Sequence, residues 1–162
     1  MTHTQSLSSL PRNGHSVPFV ELRQSLPSEI AAISHFVDQV MRFIVNFRSV
    51  DGSESEIEMA LYEALTNAVI HGNAESSRKR VYVTCRCYTD GEVAIAVRDE
   101  GRGFDRSILP DPTLQKNLLL THGRGIYLMK TLMDEVCFEE GGTAVMMRKR
   151  SNASSVQARK PR

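Results

Sequence analysis

The apolar residues of this chain change their period at Gly72. Before it they recur every three to four residues: Ile30, Ile33, Val37, Val40, Met41 and Ile44, then Ile57, Leu61, Ala64, Leu65 and Ala68. After it they alternate, as Val81, Val83, Cys85 and Cys87, then Val93, Ile95 and Val97. The first period lays apolar side chains along one face of a helix, and the second lays them on one face of a sheet. Helical stripes of this kind are buried by packing on a sheet. Strands that pair as hairpins beside separate helices predict a two-layer α/β (α+β) sandwich with a mixed sheet.

The element boundaries follow from local chemistry. A first strand is expected over 19–23 and a helix from Ser28 to about Val45. Ser53-Glu54-Ser55-Glu56 has the spacing of a capping box, so a second helix is expected to start there. It runs to His71, with Gly72 as its C-terminal stop. Strands over 81–87 and 92–99 flank the turn signal Thr89-Asp90-Gly91. An irregular stretch rich in Pro and Gly extends from Glu100 to about Gly123. A third helix is expected over 125–133, then strands over 135–140 and 143–149 that meet at Gly141-Gly142. Residues 1–17 are polar and aperiodic and read as a disordered leader. Residues 18–150 form the folded unit, and 151–162 read as a basic disordered tail.

Composition narrows the functional classes. With 41% apolar and 24% charged residues, the chain can bury a core without disulfides or metal. A net charge of only +1 gives no electrostatic footprint for nucleic acid or a membrane surface. The three cysteines do not make a disulfide framework, and Cys85 and Cys87 share the core phase of their strand. No segment has the length of a membrane span and no signal pattern opens the chain, so a cytoplasmic location is expected.

Three patches carry chemistry. Glu63 and Asn67 are spaced i, i+4 at the border of the second helix's apolar face, so their side chains are neighbours. Asn can offer an uncharged oxygen to Mg²⁺, while Glu can take a proton from an attacking hydroxyl. A solvated polar strip is the alternative. Asp99 continues the phase of Val93, Ile95 and Val97, which points its carboxylate toward the buried side. A carboxylate there needs a hydrogen-bond donor, and the adenine amino group is one. The carbonyl of guanine would be repelled. Gly101 and Gly103 come directly after and allow close backbone approach, or a plain turn. The third patch, Gly123-Arg124-Gly125, opens the last helix and can present N–H groups and a guanidinium to an anion, or act as a hinge. It lacks the pattern of a P-loop.

Taken together, these patches resemble the GHKL ATPases, the group of gyrase, histidine kinases and the mismatch-repair ATPase. Glu63-Ala-Leu-Thr-Asn67-Ala-Val-Ile-His71-Gly72 is similar to the group's N box. Asp99-Glu-Gly-Arg-Gly103-Phe-Asp105 and Gly123-Arg-Gly-Ile-Tyr-Leu-Met-Lys130 are similar to its two glycine boxes, and Gly141-Gly-Thr143 to its closing strand. The wording is nearest to the anti-sigma factor serine-protein kinases. The resemblance implies a Bergerat-type ATP-binding fold that takes ATP and Mg²⁺. It implies Glu63 as general base toward a protein serine and Asn67 as the Mg²⁺ ligand. Asp99 and Thr143 would lie at adenine, with Gly101, Gly103, Gly123, Arg124 and Gly125 around the nucleotide. His71 would be a phosphate contact or a helix-end cap. The partners implied are a STAS-domain anti-anti-sigma protein and a sigma factor, with a possible homodimer. A nucleotide-gated binding module without kinase activity, or an orphan histidine-kinase catalytic domain, would share these boxes. His35 is the only histidine that could serve the latter, and it lies inside the first helix as a packing or surface residue.

Overall fold

The computed structural model describes residues 17–47, 52–103 and 121–151. Most of the expected leader, most of the tail, and Phe104 and Asp105 of the first glycine box lie outside the described residues. Among the described residues, five strands and three helices fold in the order β1 (Phe19–Pro27), α1 (Ile30–Asn46), α2 (Glu54–Asn67), β2 (Arg80–Tyr88), β3 (Val93–Arg98), α3 (Thr121–Leu132), β4 (Glu135–Glu139) and β5 (Ala144–Lys149). A π-helical turn, Ala68–Gly72, extends α2, and a 3-10 turn, Glu140–Gly142, joins β4 to β5.

The strands form one sheet in the order β1-β2-β3-β5-β4. Core residues of the helices pack with Val81, Val83, Cys85, Cys87, Val93, Ile95, Val97, Val145 and Met147 of the strands in one cluster. The two-layer sandwich is therefore present. Every pairing in the sheet is antiparallel, so the sheet is not mixed as expected. The cause lies in the connections. β3 and β4 do run parallel, since each pairs antiparallel with β5, but β5 is inserted between them. Between β1 and β2 the described residues hold two helices, α1 and α2, and the chain returns antiparallel to its start.

Several boundaries differ from the sequence expectation for physical reasons. β1 continues through Gln24 and Ser25 to Pro27, which pairs with Arg80 at the strand's end. It is an edge strand, where polar residues and a terminal proline are tolerated. Helix α1 starts at Ile30, with Glu29 rather than Ser28 at its N-cap. Ile30 is then a first-turn residue, 47% exposed, and Phe36 takes a place in the core. Ser53 is the N-cap of α2, but no side-chain cap hydrogen bond forms. The capping box is not made, because Glu56 instead meets the Lys149 ammonium. Lys149 Nζ also donates to Leu132 O at 2.7 Å, so one ammonium ties the start of α2 to the end of α3 and to β5.

Cys85 and Cys87 sit in the helix-facing core, and the Cys87 neighbour together with burial pushes the Cys85 thiol up. Such thiols are packing groups. On the opposite face of the sheet, Tyr88, Ala94 and Met146 form a small second cluster. Beside it Arg148, 3% exposed, bridges Glu92 at 3.1 Å and Glu135 at 3.3 Å.

Candidate functional site

The π-helical turn at the end of α2 organises the site. A normal α-helical hydrogen bond is replaced there by a wider one, from Asn73 N–H to Ala68 O at 2.8 Å. Such insertions recur at functional sites because they redirect the side chains around them. Here the turn brings Gly72 against the loop after β3.

Asp99 lies just beyond the last ladder pair of β3, on the helix-facing phase that its alternation with Val97 predicts. Its N–H donates to Thr143 O at 2.9 Å, and its Oδ1 accepts the Gly101 N–H at 2.7 Å. Among the described residues Oδ2 accepts no hydrogen bond. Burial pushes the Asp99 carboxyl above its ordinary value, opposed by the Gly101 N–H and the Lys79 ammonium. A partly desolvated carboxylate with one free oxygen is a ready acceptor for a neutral N–H donor.

The backbone around Asp99 is packed too tightly for side chains. A methyl group added at Gly72 would sit 2.3 Å from Asp99 Cγ, and one at Gly101 would sit 2.1 Å from Gly72 O. Gly72 does not take the left-handed conformation of a helix stop. Its role is space, which corrects the expectation that it serves as a C-cap. Gly103, at φ +74, would press a methyl to 2.1 Å from Gly141 O and 3.5 Å from Thr143 Cγ2. Asp99, Gly101, Gly103 and Thr143 thus converge. The Thr143 hydroxyl is turned to Glu140 O at 3.0 Å.

The second group forms where α3 crosses α2. A methyl at Gly125 would meet Glu63 Oε2 at 2.7 Å, Asn67 Nδ2 at 3.2 Å and Asn67 Oδ1 at 3.4 Å. Glu63 and Asn67 are both half-buried there. Helix α3 begins at Thr121, so Gly123 and Gly125 lie within its first two turns rather than before it. A glycine inside a helix costs roughly 1 kcal/mol relative to alanine. Here the absence of a side chain permits the approach to Glu63 and Asn67. Arg124 and His71 are exposed. His35, on the solvent face of α1, lies 3.1 Å from Gln39 Nε2 through its Nε2.

No group of three or more His, Cys, Asp or Glu side chains gathers among the described residues. The uncharged Asn67 oxygen nevertheless fits Mg²⁺, which binds through a few protein oxygens together with phosphates and water. No helix of the described residues is long and apolar enough to cross a membrane. Sequence reasoning did not place Gly72 or Asn73 in the site. Gly72 closes the run similar to the N box but read as a helix stop, and Asn73 had no sequence signal beyond its position after the helical period.

Residues 24–149 match the family model of the histidine kinase-like ATPase domain. The chain is 32% identical over 123 residues to the anti-sigma F factor of Priestia megaterium, covering 72% of this chain and 84% of that protein. To the anti-sigma F factor of Bacillus subtilis strain 168 it is 32% identical over 120 residues, covering 71% and 82% respectively. Among solved structures, the RsbU and RsbW domains of Rv1364c from Mycobacterium tuberculosis share the fold. That match has a TM-score of 0.56 at 20% identity and covers 82% of this chain and 32% of that one.

Proposed function

Because the chain belongs to the histidine kinase-like ATPase family, we propose that it binds Mg²⁺-ATP, phosphorylates a serine of a STAS-type anti-anti-sigma protein and sequesters a sigma factor. The names of its anti-sigma F relatives support the regulatory half of this reading. The observation that carries the kinase half is Glu63 beside Asn67 where Gly125 approaches both. A binding module needs no base at that position.

Mg²⁺-ATP supplies the phosphoryl group and neutralises its developing charge. Asp99 Oδ2 takes the adenine amino group, and Gly101 and Gly103 let the backbone close around the base, with Thr143 beside it. The first turns of α3 present Gly123, Arg124 and Gly125 to the phosphates. Asn67 offers its carboxamide oxygen to Mg²⁺. His71, at the exposed end of the π turn, serves as a phosphate contact. Glu63 accepts the serine hydroxyl proton as that oxygen bonds to the γ-phosphorus, and the bond to the β-phosphate oxygen breaks to release ADP. Most of the acceleration comes from holding these groups in line.

Incubation with γ-labelled ATP and candidate STAS proteins tests the reading. Acid-stable phosphoserine on the partner is the expected result. Retained ATP affinity with no labelled partner would leave a nucleotide-gated binding module, and acid-labile phosphohistidine would mark a histidine-kinase domain acting in trans. A second check comes from Gly72. Since an added methyl must displace the Asp99 carboxylate, Gly72→Ala is expected to weaken ATP binding about tenfold by calorimetry, roughly the worth of one hydrogen bond.

A further inference from the structure

Asn73 is fully buried, at 0% exposure, and a polar side chain in that position must have its donor and acceptor satisfied. Its Nδ2 donates to Arg80 O at 2.9 Å, and its Oδ1 accepts the Glu100 N–H at 2.8 Å. One side chain therefore joins the π turn, the entry of β2 and the residue next to Asp99. Glu100 reinforces the link by accepting the Arg80 N–H at 2.6 Å and the Tyr82 hydroxyl at 3.3 Å.

The consequence falls on Asp99. The ladder between β3 and β5 ends at Arg98 and Ala144, so regular pairing does not hold Asp99 and Glu100. Asp99 is fixed on one side by its N–H to Thr143 O and on the other by the peptide that Asn73 holds. Its carboxylate stands between Gly72 and Gly101 with clearances that leave little freedom. A small shift of the Glu100 peptide would carry that carboxylate with it.

We propose that Asn73 is a positioning residue for purine selection. By holding the Glu100 amide it sets where the Asp99 carboxylate meets a base that presents an amino group rather than a carbonyl. It does not itself touch the nucleotide. The proposal rests on the reading of Asp99 as the adenine acceptor, and its test separates the two.

ATP and GTP affinities are measured by calorimetry for the full chain and for Asn73→Ala, Asp99→Asn and the double variant. Asn73→Ala is expected to weaken ATP about tenfold and GTP little, since a displaced buried partner is worth about one hydrogen bond. In the Asp99→Asn background the same substitution should change ATP affinity less than about twofold, the behaviour of two residues acting through one contact. Equal losses in both backgrounds, or an unchanged ATP-to-GTP ratio, would overturn the positioning role. An Asp99→Asn protein that binds ATP as the wild type does would instead sink the reading of Asp99. Should Asn73→Ala fail to fold, Asn73→Asp keeps an acceptor for the Glu100 N–H. Its ATP-to-GTP ratio is expected within about threefold of wild type, and loss of all preference in a natively folded protein would overturn the proposal.

Discussion

Glu63→Gln is expected to slow serine phosphorylation by about 10² to 10⁴-fold while ATP affinity stays within about twofold. The substitution keeps the size of the side chain and an oxygen that can accept hydrogen bonds. The packing of Gly125 against that position is therefore preserved. The group lost is the basic oxygen that would receive the serine proton. Single-turnover transfer to the partner, measured beside calorimetric ATP affinity, separates the two effects. A general base acts in the transition state, so the loss should fall on the rate and leave ground-state binding alone. Unchanged transfer would remove Glu63 from catalysis and favour the nucleotide-gated binding module. An equal loss of ATP affinity would assign Glu63 to the nucleotide's own binding site.

One element carries both ends of this site. Glu63 and Asn67 stand on α2, and Gly72 and Asn73 lie beyond them through the π turn. Gly72 lies nine positions after Glu63, roughly 14 Å at helical rise. That span separates the Glu63–Asn67 pair, met by Gly125, from the contact of Gly72 with Asp99. The N-terminal half of α2 is anchored separately, by Glu56 to the Lys149 ammonium that also reaches the last turn of α3. Helix α3 is thereby tied at its C-terminal end, while its first turns lie over Glu63 and Asn67.

Hydrophobic period revealed the helices, the hairpin strands and the inward phase of Asp99, because each is a property of consecutive residues. It could not reveal that Gly72 meets Asp99 or that Gly125 meets Glu63, since each pair is brought together by folding. Gly72 was legible as a helix end, yet its real constraint is the carboxylate 27 positions further on. The antiparallel sheet was hidden for a related reason. Hairpin strands beside separate helices predict a mixed sheet, and nothing local to them tells that β5 lies between β3 and β4. Asn73 is harder still. A polar residue just past a helix has the sequence character of any solvated turn, and only its burial exposes its two partners. The capping box failed through competition, as Glu56 found a cation on a strand nearly a hundred residues away.

Asp99→Asn should separate function from stability in opposite directions. A hydrogen bond to a charged group is worth about 1.5–3 kcal/mol, so losing the carboxylate is expected to weaken ATP about 10- to 150-fold. Stability should move the other way. Burial holds the Asp99 carboxyl above its ordinary value, despite the Gly101 N–H and the Lys79 ammonium. An acid with a raised folded pKa binds its proton more tightly in the folded chain than in the unfolded one. Folding is then favoured as pH falls, and the ionised carboxylate opposes it once pH exceeds the raised value. That cost develops between the ordinary value of 3.8 and the raised one, and it persists unchanged above it. Asparagine carries no charge to desolvate and can still accept the Gly101 N–H. The variant should therefore melt higher than wild type at pH 7, with the difference shrinking as pH falls toward the ordinary carboxylate value. Thermal denaturation across that range checks it. A variant that melts lower than wild type at neutral pH would mean that Lys79 and Gly101 outweigh burial. The carboxylate would then stand there as a stabilising charge, and the case for its strained readiness toward adenine would fall with it.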